Sequence, residues 1–592
     1  MRSTTLKLLA LLLIVALAGC NSLKKMADNA DKLKYQVTPN PLEMHAGKVP
    51  VSISVQFPPK FFPKKAYLVI TPTLTNANGE ELNFKSTTLQ GEKVKDNNPV
   101  IKYKTGGSYT YIDTVNYDPK FRKSDLVLKF SANTGGNGQS VTFVSVKIGQ
   151  GIITTPELVD PGLIVDNGTL GNTNKGLLKT IRATISKPKT VPQQQKLVLY
   201  YPLQQSRLPY KEQRKPEVDT FLNKLQQLKN NPDIDLQGIA IASYASPDGP
   251  IDLNHDLVQG RGKTATDFMT KKFKKGDFEE FASDKNITRE TTPDEDWEGF
   301  KTLVQQSNIE DKEVILRVLS MYSDPNVREQ EIKKMAEVYE TLKKEILPKL
   351  RRAEIIATYQ TKERTPEEMI QLAKTDPDKL SREELFFAAQ SAQGADKETI
   401  YKTYISKYSD DWKAYNNLAV YYIKENRLTE AENELQKAEN IQQNNTAVLN
   451  NYGVLYYAKG DMAKAKDYFH RAYQLEANPD VGYNCGVLLI KQGKYQEAVQ
   501  KFGAPASYNK SLAQLLVGNT ADAINTLNSV KSDNAYYYYL KAVEAARNSD
   551  QNGVFTNLQT AIQKDASLKD YAKNDLEFRD YFDDDTFKSL VE

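Results

Sequence analysis

The chain has 592 residues, and its 79 Lys and Arg against 75 Asp and Glu leave a formal charge of only +4. That length accommodates roughly three to five domains of about 100–200 residues each, and the interspersed charge gives no electrostatic footprint for nucleic acid. Two cysteines (Cys20, Cys485) and three scattered histidines (His45, His255, His470) supply neither a disulfide framework nor transition-metal ligands at working spacing, so no metal or other cofactor is expected.

Arg2 and Lys7 precede an apolar run from Leu8 to Leu17. The run is shorter than the roughly 20 residues that span a bilayer and has the length of a signal-peptide core. It ends in Leu17-Ala18-Gly19-Cys20, which resembles a bacterial lipobox. The resemblance implies a signal peptide over 1–19, lipidation of Cys20, and a tether over 20–34 that holds the protein to a membrane by lipid alone. After the cysteine, Asn21-Ser22-Leu23-Lys24-Lys25 carries no aspartate and no acidic run. By resemblance to Gram-negative lipoproteins, this implies the periplasmic face of the outer membrane.

Residues 35–155 alternate with period two in Val51–Val55, Ala66–Ile70, Leu126–Phe130 and Val141–Val146, separated by turn clusters such as 76–79 and 133–138. Short alternating strands at this spacing predict an antiparallel β-sandwich. The Gly-rich stretch Thr134–Gly138 precedes a strand rather than a helix, so it is expected to be a turn and not a phosphate cradle. Residues 156–195 are rich in Pro and Gly and read as a connector with short strands, including one alternating run from Thr180 to Ser186.

From Lys196 the texture becomes strand, helix, strand, helix, which predicts an α/β domain over 196–362. Within it, Ile239 to Gly249, then Asn254, Leu257, Arg261 and Ala265, are similar in spacing to the core of the OmpA C-terminal domain family. The Ala-Ser-Pro-acid-Gly version resembles the variant of Bacteroidota lipoproteins. This family binds peptidoglycan, so the resemblance implies a groove in which an aspartate and an arginine hold the two charged ends of diaminopimelate. Arg261 falls on the family's arginine position, but Ser246 stands at the aspartate position and brings a hydroxyl without a charge. The candidate wall-binding residues are therefore Ser246, Asp248, Asn254 and Arg261. Residues 286–345 read as a mainly helical insertion before a closing strand, and Trp297 beside its acids reads as a helix entry rather than a sugar platform.

From Trp412 the chain repeats: Ala419, Tyr422, Ala431, Leu435 and Ala438 recur as Gly453, Tyr456, Ala465, Phe469 and Ala472, and then as Gly486, Leu489, Ala498 and Phe502. Small residues that let two helices approach, with large ones filling the groove, resemble the tetratricopeptide repeat, and an all-α solenoid is expected over 365–582. The resemblance implies a concave surface for a protein segment, with Val420, Ile423, Val454, Tyr457, Val487 and Ile490 on the inner face. Asn417, Asn451 and Asn484 form a ladder expected to brace the helix backbone, and Cys485 reads as a buried core residue.

The chain has no Walker-type phosphate loop, no Gly-x-Ser-x-Gly elbow and no Cys-His pair, so catalysis is not expected. Two readings remain open. In one, the chain is an outer-membrane scaffold linking peptidoglycan to a protein assembly. In the other, it is a protein-binding subunit of an assembly or secretion complex without wall binding.

Overall fold

The computed structural model describes residues 22–135, 140–159, 178–276, 278–281, 287–290 and 292–592. The expected signal peptide, the lipidation candidate Cys20, much of the connector, and residues 136–138 of the Gly-rich stretch lie outside these bounds. The chain divides into two compact units: one runs through Thr184 and resumes over Ala392–Glu592, and the other is Ile185–Ser391.

The first unit opens with ten strands: β1 (Lys34–Thr38), β2 (Lys48–Phe57), β3 (Tyr67–Asn76), β4 (Glu81–Asn83), β5 (Thr87–Gly91), β6 (Val100–Ile101), β7 (Gly107–Asn116), β8 (Ser124–Asn133), β9 (Ser140–Thr142) and β10 (Val146–Gln150). They form one sheet in the order β1-β2-β7 and a second in the order β10-β8-β3-β5-β6, with β4 on β3 and β9 on β8. The alternation sends Val49, Val51, Ile53 and Val55 of β2 into the core also filled by Leu68 and Ile70 of β3 and Leu126, Leu128 and Phe130 of β8. Pairing is antiparallel except between β5 and β6. The expected strand Val141–Val146 is interrupted, because Phe143 turns inward against Phe130, with ring centroids 5.6 Å apart, and its N–H donates to the Phe130 carbonyl at 3.0 Å. Both halves, β9 and β10, still pair with β8.

In the second unit, β11 (Gln193–Tyr200), β12 (Ile234–Tyr244), β13 (Ile287–Arg289) and β14 (Arg352–Thr361) form a sheet in the order β11-β14-β12-β13. β13 runs parallel to β12, and β14 is antiparallel to β11 and β12. Val218, Phe221, Leu225 and Leu228 line one stripe of the helix Pro216–Lys229, and Ala265, Met269 and Phe273 one stripe of Ile251–Lys275. Both stripes meet Leu197, Leu199, Ile239, Ile241 and Ile355 of the sheet. The insertion between β13 and β14 is helical and has its own core, centred on Phe300, Val304, Ile315, Leu319, Ile332 and Leu342. The helix pair Pro366–Thr375 and Arg382–Ser391, at the head of the 365–582 range read as a solenoid, falls in this unit. Arg364 holds it there, reaching Asp233 at 3.3 Å and Glu384 at 3.0 Å with its side chain only 10% exposed.

The array resumes in the first unit with Gly394–Lys407 and continues as pairs: Trp412–Lys424 with Leu428–Ile441, Thr446–Ala458 with Met462–Leu475, Pro479–Lys491 with Tyr495–Phe502, Tyr508–Leu516 with Thr520–Asn528, and Ala535–Arg547 with Gln551–Lys564. Polar N-caps start many of these helices: Asn445 accepts from the Ala447 N–H, Asp461 from Lys464, Asn478 from Asp480 and Asp550 from Gly553. Gly460 and Gly493, at φ +81° and +72°, occupy turns that a side chain would oppose. Gly453 and Gly486 serve packing instead, since a Cβ there would sit 2.4 Å from the Phe469 ring and 2.7 Å from the Phe502 ring.

Gly453→Val is expected to overpack this contact and cost about 1–3 kcal/mol, read as an earlier midpoint in urea unfolding. An unchanged midpoint would mean that the buried Phe469 ring has room to move.

Candidate functional site

The inner side chains of three successive repeats converge on one piece of the same chain. Asn416 and Asn417 stand on Trp412–Lys424, Asn450 and Asn451 on Thr446–Ala458, and Asn484 on Pro479–Lys491. All five are at most 1% exposed. Their carboxamides bind the backbone of an extended segment over residues 179–183. Lys179 N–H donates to Asn484 Oδ1 at 2.8 Å, and Asn484 Nδ2 donates back to the Lys179 carbonyl at 2.8 Å. Ile181 is held the same way by Asn451, at 2.8 and 2.7 Å, and Ala183 by Asn417, at 2.9 and 2.7 Å. Asn450 and Asn416 add second donors to the Lys179 and Ile181 carbonyls, at 2.8 and 3.0 Å.

A carboxamide has one acceptor and a donor group side by side, as a neighbouring β-strand would present them. The segment therefore advances two residues per repeat, and every second residue is gripped. The ladder also bonds to itself: Asn451 Nδ2 donates to Asn416 Oδ1 at 2.8 Å, and Asn484 Nδ2 to Asn450 Oδ1 at 2.9 Å. Within the second unit, Gln390 makes the same paired bonds to Ile185, at 2.9 and 3.1 Å.

The expectation that these asparagines brace their own helices is thus corrected: their polar atoms go to residues 179–183. The alternating run Thr180–Ser186 was the visible signal, but nothing local in the sequence pairs it with the repeats. The apolar residues expected on the open inner face are not open. Val420, Ile423, Val454, Val487 and Ile490 are buried and Tyr457 is half-buried. Cys485 joins Ile181, Leu449 and Val481 in an apolar cluster, and burial pushes its thiol up to about 11, as suits a packing residue.

The sandwich and the residues just after it also pack against the array of the same unit, from the third ladder repeat onward. Tyr508 donates to the Leu158 carbonyl at 2.9 Å, His45 Nδ1 lies 2.9 Å from the Tyr495 hydroxyl, and the Arg122 guanidinium lies 4.0 Å from the Tyr571 ring centroid. Thr155 donates to Glu577, a carboxylate also held by Arg547. Nearby, Tyr539 donates to the buried Asp575 at 2.7 Å.

In the second unit, the four residues with the wall-binding resemblance are engaged internally. Ser246 donates to Asp248, and Asp248 lies 3.8 Å from the Arg351 guanidinium. Asn254 Nδ2 donates to the Gly249 carbonyl at 3.2 Å and to Glu295 at 3.1 Å. Arg261 is 1% exposed and donates to the Tyr244 and Gln205 carbonyls at 2.8 and 3.0 Å. Burial, and then the neighbouring Arg351 charge, push Arg261 down to about 10. Trp297 donates to Glu295 at 2.9 Å and packs edge-on against Phe300.

Among the described residues, no group of His, Cys, Asp and Glu is placed to hold a metal ion, and no helix is long and apolar enough to cross a membrane.

Residues 413–445 and 446–479 match the tetratricopeptide repeat family. Similar solved structures include YrrB, described as a TPR protein with an unusual peptide-binding site, at 20% identity over 28% of this chain and 92% of that one, with a TM-score of 0.24. PilF of Pseudomonas aeruginosa is 19% identical over 36% of this chain and 96% of its own, with a TM-score of 0.27. A tetratricopeptide repeat protein from Parabacteroides merdae is 15% identical over 38% and 97%, with a TM-score of 0.24. No curated protein matches the chain.

The buried acids make the array sensitive to pH. Burial pushes Glu544 up to about 7, against the hydrogen bond it accepts from Ser511. Burial and the adjacent Glu577 charge push Asp575 up to about 6. In the unfolded chain both acids titrate near 4, so between about pH 4 and pH 7 the folded state holds protons that the unfolded state releases. Their contribution to stability is complete below that window and is lost as pH rises through it. Urea midpoints are expected to fall between about pH 4 and pH 7, and Glu544→Gln, which keeps an oxygen for Ser511, is expected to flatten part of the fall.

Proposed function

We propose that the protein is a non-enzymatic binding scaffold of the bacterial envelope whose repeat array acts on protein segments. Tetratricopeptide repeats imply a role in protein–protein interaction, and the asparagine ladder carries the reading for this chain. Five buried carboxamides are committed to the backbone of an extended polypeptide, which is the chemistry of holding a chain rather than transforming one. The lipobox-like Leu17-Ala18-Gly19-Cys20 supports attachment through a lipid on Cys20, and the residues after it favour the periplasmic face of the outer membrane.

The central unit is proposed as an OmpA-like domain on the motif from Ile239 to Arg261, borne by β12 and the helix after it. Of the two scaffold readings, the one without wall binding is favoured. Ser246 brings no charge, and Arg261 is buried with its guanidinium bonded to carbonyls, so neither is free to take one end of a zwitterion.

The test is sedimentation of residues 21–592 with purified peptidoglycan. The protein is expected to stay in the supernatant. Co-sedimentation abolished by Asp248→Asn would overturn this choice and restore a wall-linking role.

A further inference from the structure

The extended segment behaves as a ligand bound in place, and an imperfect one. Its backbone is satisfied by Asn417, Asn451 and Asn484, so the ladder itself places no demand on side chains. Side-chain selectivity comes from three flanking features. Lys179 pairs with Asp480 at 2.8 Å and sits 4.8 Å from the Tyr483 ring centroid. Ile181 enters the apolar cluster of Leu449, Val481 and Cys485. Thr180 is 1% exposed, and its hydroxyl has no hydrogen-bond partner. A buried hydroxyl without a partner costs free energy that a methyl group of the same shape does not. The position is thus shaped for valine and filled by threonine.

We propose that residues 178–184 are an autoinhibitory strap on the array. The strap would be displaced by an extended segment of a partner protein carrying a basic residue, then two β-branched apolar residues, in the positions of Lys179, Thr180 and Ile181. The incoming chain keeps every backbone bond that the ladder offers, keeps the ion pair to Asp480, and replaces the unpaired hydroxyl with a methyl. Charge complementarity at Asp480 and the misfit at Thr180 together define the occupant. The proposal rests on the scaffold reading but can fail without it, because an array with a permanent strap still presents its outer helices to partners.

The probe is a fluorescent synthetic peptide of residues 178–186 carrying Thr180→Val, titrated into the protein spanning residues 21–592. Binding is expected to weaken about tenfold when the protein itself carries Thr180→Val, because the strap then competes on equal terms. That substitution is nearly isosteric, so the fold is retained. A peptide carrying Ile181→Pro, which lacks the N–H that Asn451 accepts, is expected not to bind. Excess probe peptide should also accelerate amide exchange at Lys179, Ile181 and Ala183 of the wild-type protein. Unchanged exchange at saturating peptide, or binding indifferent to Thr180→Val in the protein, would overturn the proposal and make the strap a permanent part of the fold.

Discussion

The first unit depends on one constraint: an extended backbone running among helices has no strand beside it, yet its N–H and C=O groups must be bonded. Sheets meet this requirement with a neighbouring strand, and here three repeats meet it with asparagine. Each carboxamide accepts from one N–H and donates to the C=O of the same residue, so Asn417, Asn451 and Asn484 act together as a discontinuous strand. The requirement is mutual. Without residues 179–183, five buried amides would lose their main partners, and each unsatisfied group costs about 1–3 kcal/mol.

The contact between sandwich and array follows the same logic with charges. Glu577 is 6% exposed and is balanced by Arg547 and Thr155, and Arg122 caps the Tyr571 ring. Asp575, beside Glu577 and paired with a tyrosine rather than a cation, is the member for which ionisation is unfavourable. The sandwich and the residues just after it thus reach the array from its third ladder repeat onward through polar contacts, while residues 179–183 take the first three through backbone contacts.

Elements whose signal is local were legible in the sequence. The period of about 34 residues, with Ala419, Gly453 and Gly486 facing Leu435, Phe469 and Phe502, follows from close helix packing and is visible without a structure. The alternation of β2, β3 and β8 likewise reports a half-buried sheet. Relations between distant segments were not legible. Ala183 and Asn417 are 234 residues apart and Lys179 and Asn484 are 305 apart, and an asparagine on an inner helix face looks the same whether it bonds its own helix or another strand. Which unit holds the helices of 366–391 was not legible either: they carry an ordinary helical pattern, and the ion pairs of Arg364 and the Gln390 bonds to Ile185 that tie them to the second unit join residues distant in sequence. The motif from Ile239 to Arg261 marked out an α/β unit, but its spacing gave no sign that Arg261 is buried against carbonyls.

The central claim is that the ladder holds residues 178–184 in the array, and limited trypsin digestion followed by mass spectrometry tests it most directly. Lys179 and Arg182 are built-in cleavage sites within the gripped segment. The account predicts that residues 21–592 resist cutting at both sites while other exposed sites are cleaved, and that the Asn417→Ala, Asn451→Ala, Asn484→Ala triple variant is cut there readily. Early cleavage after Lys179 and Arg182 in the unaltered protein would contradict it.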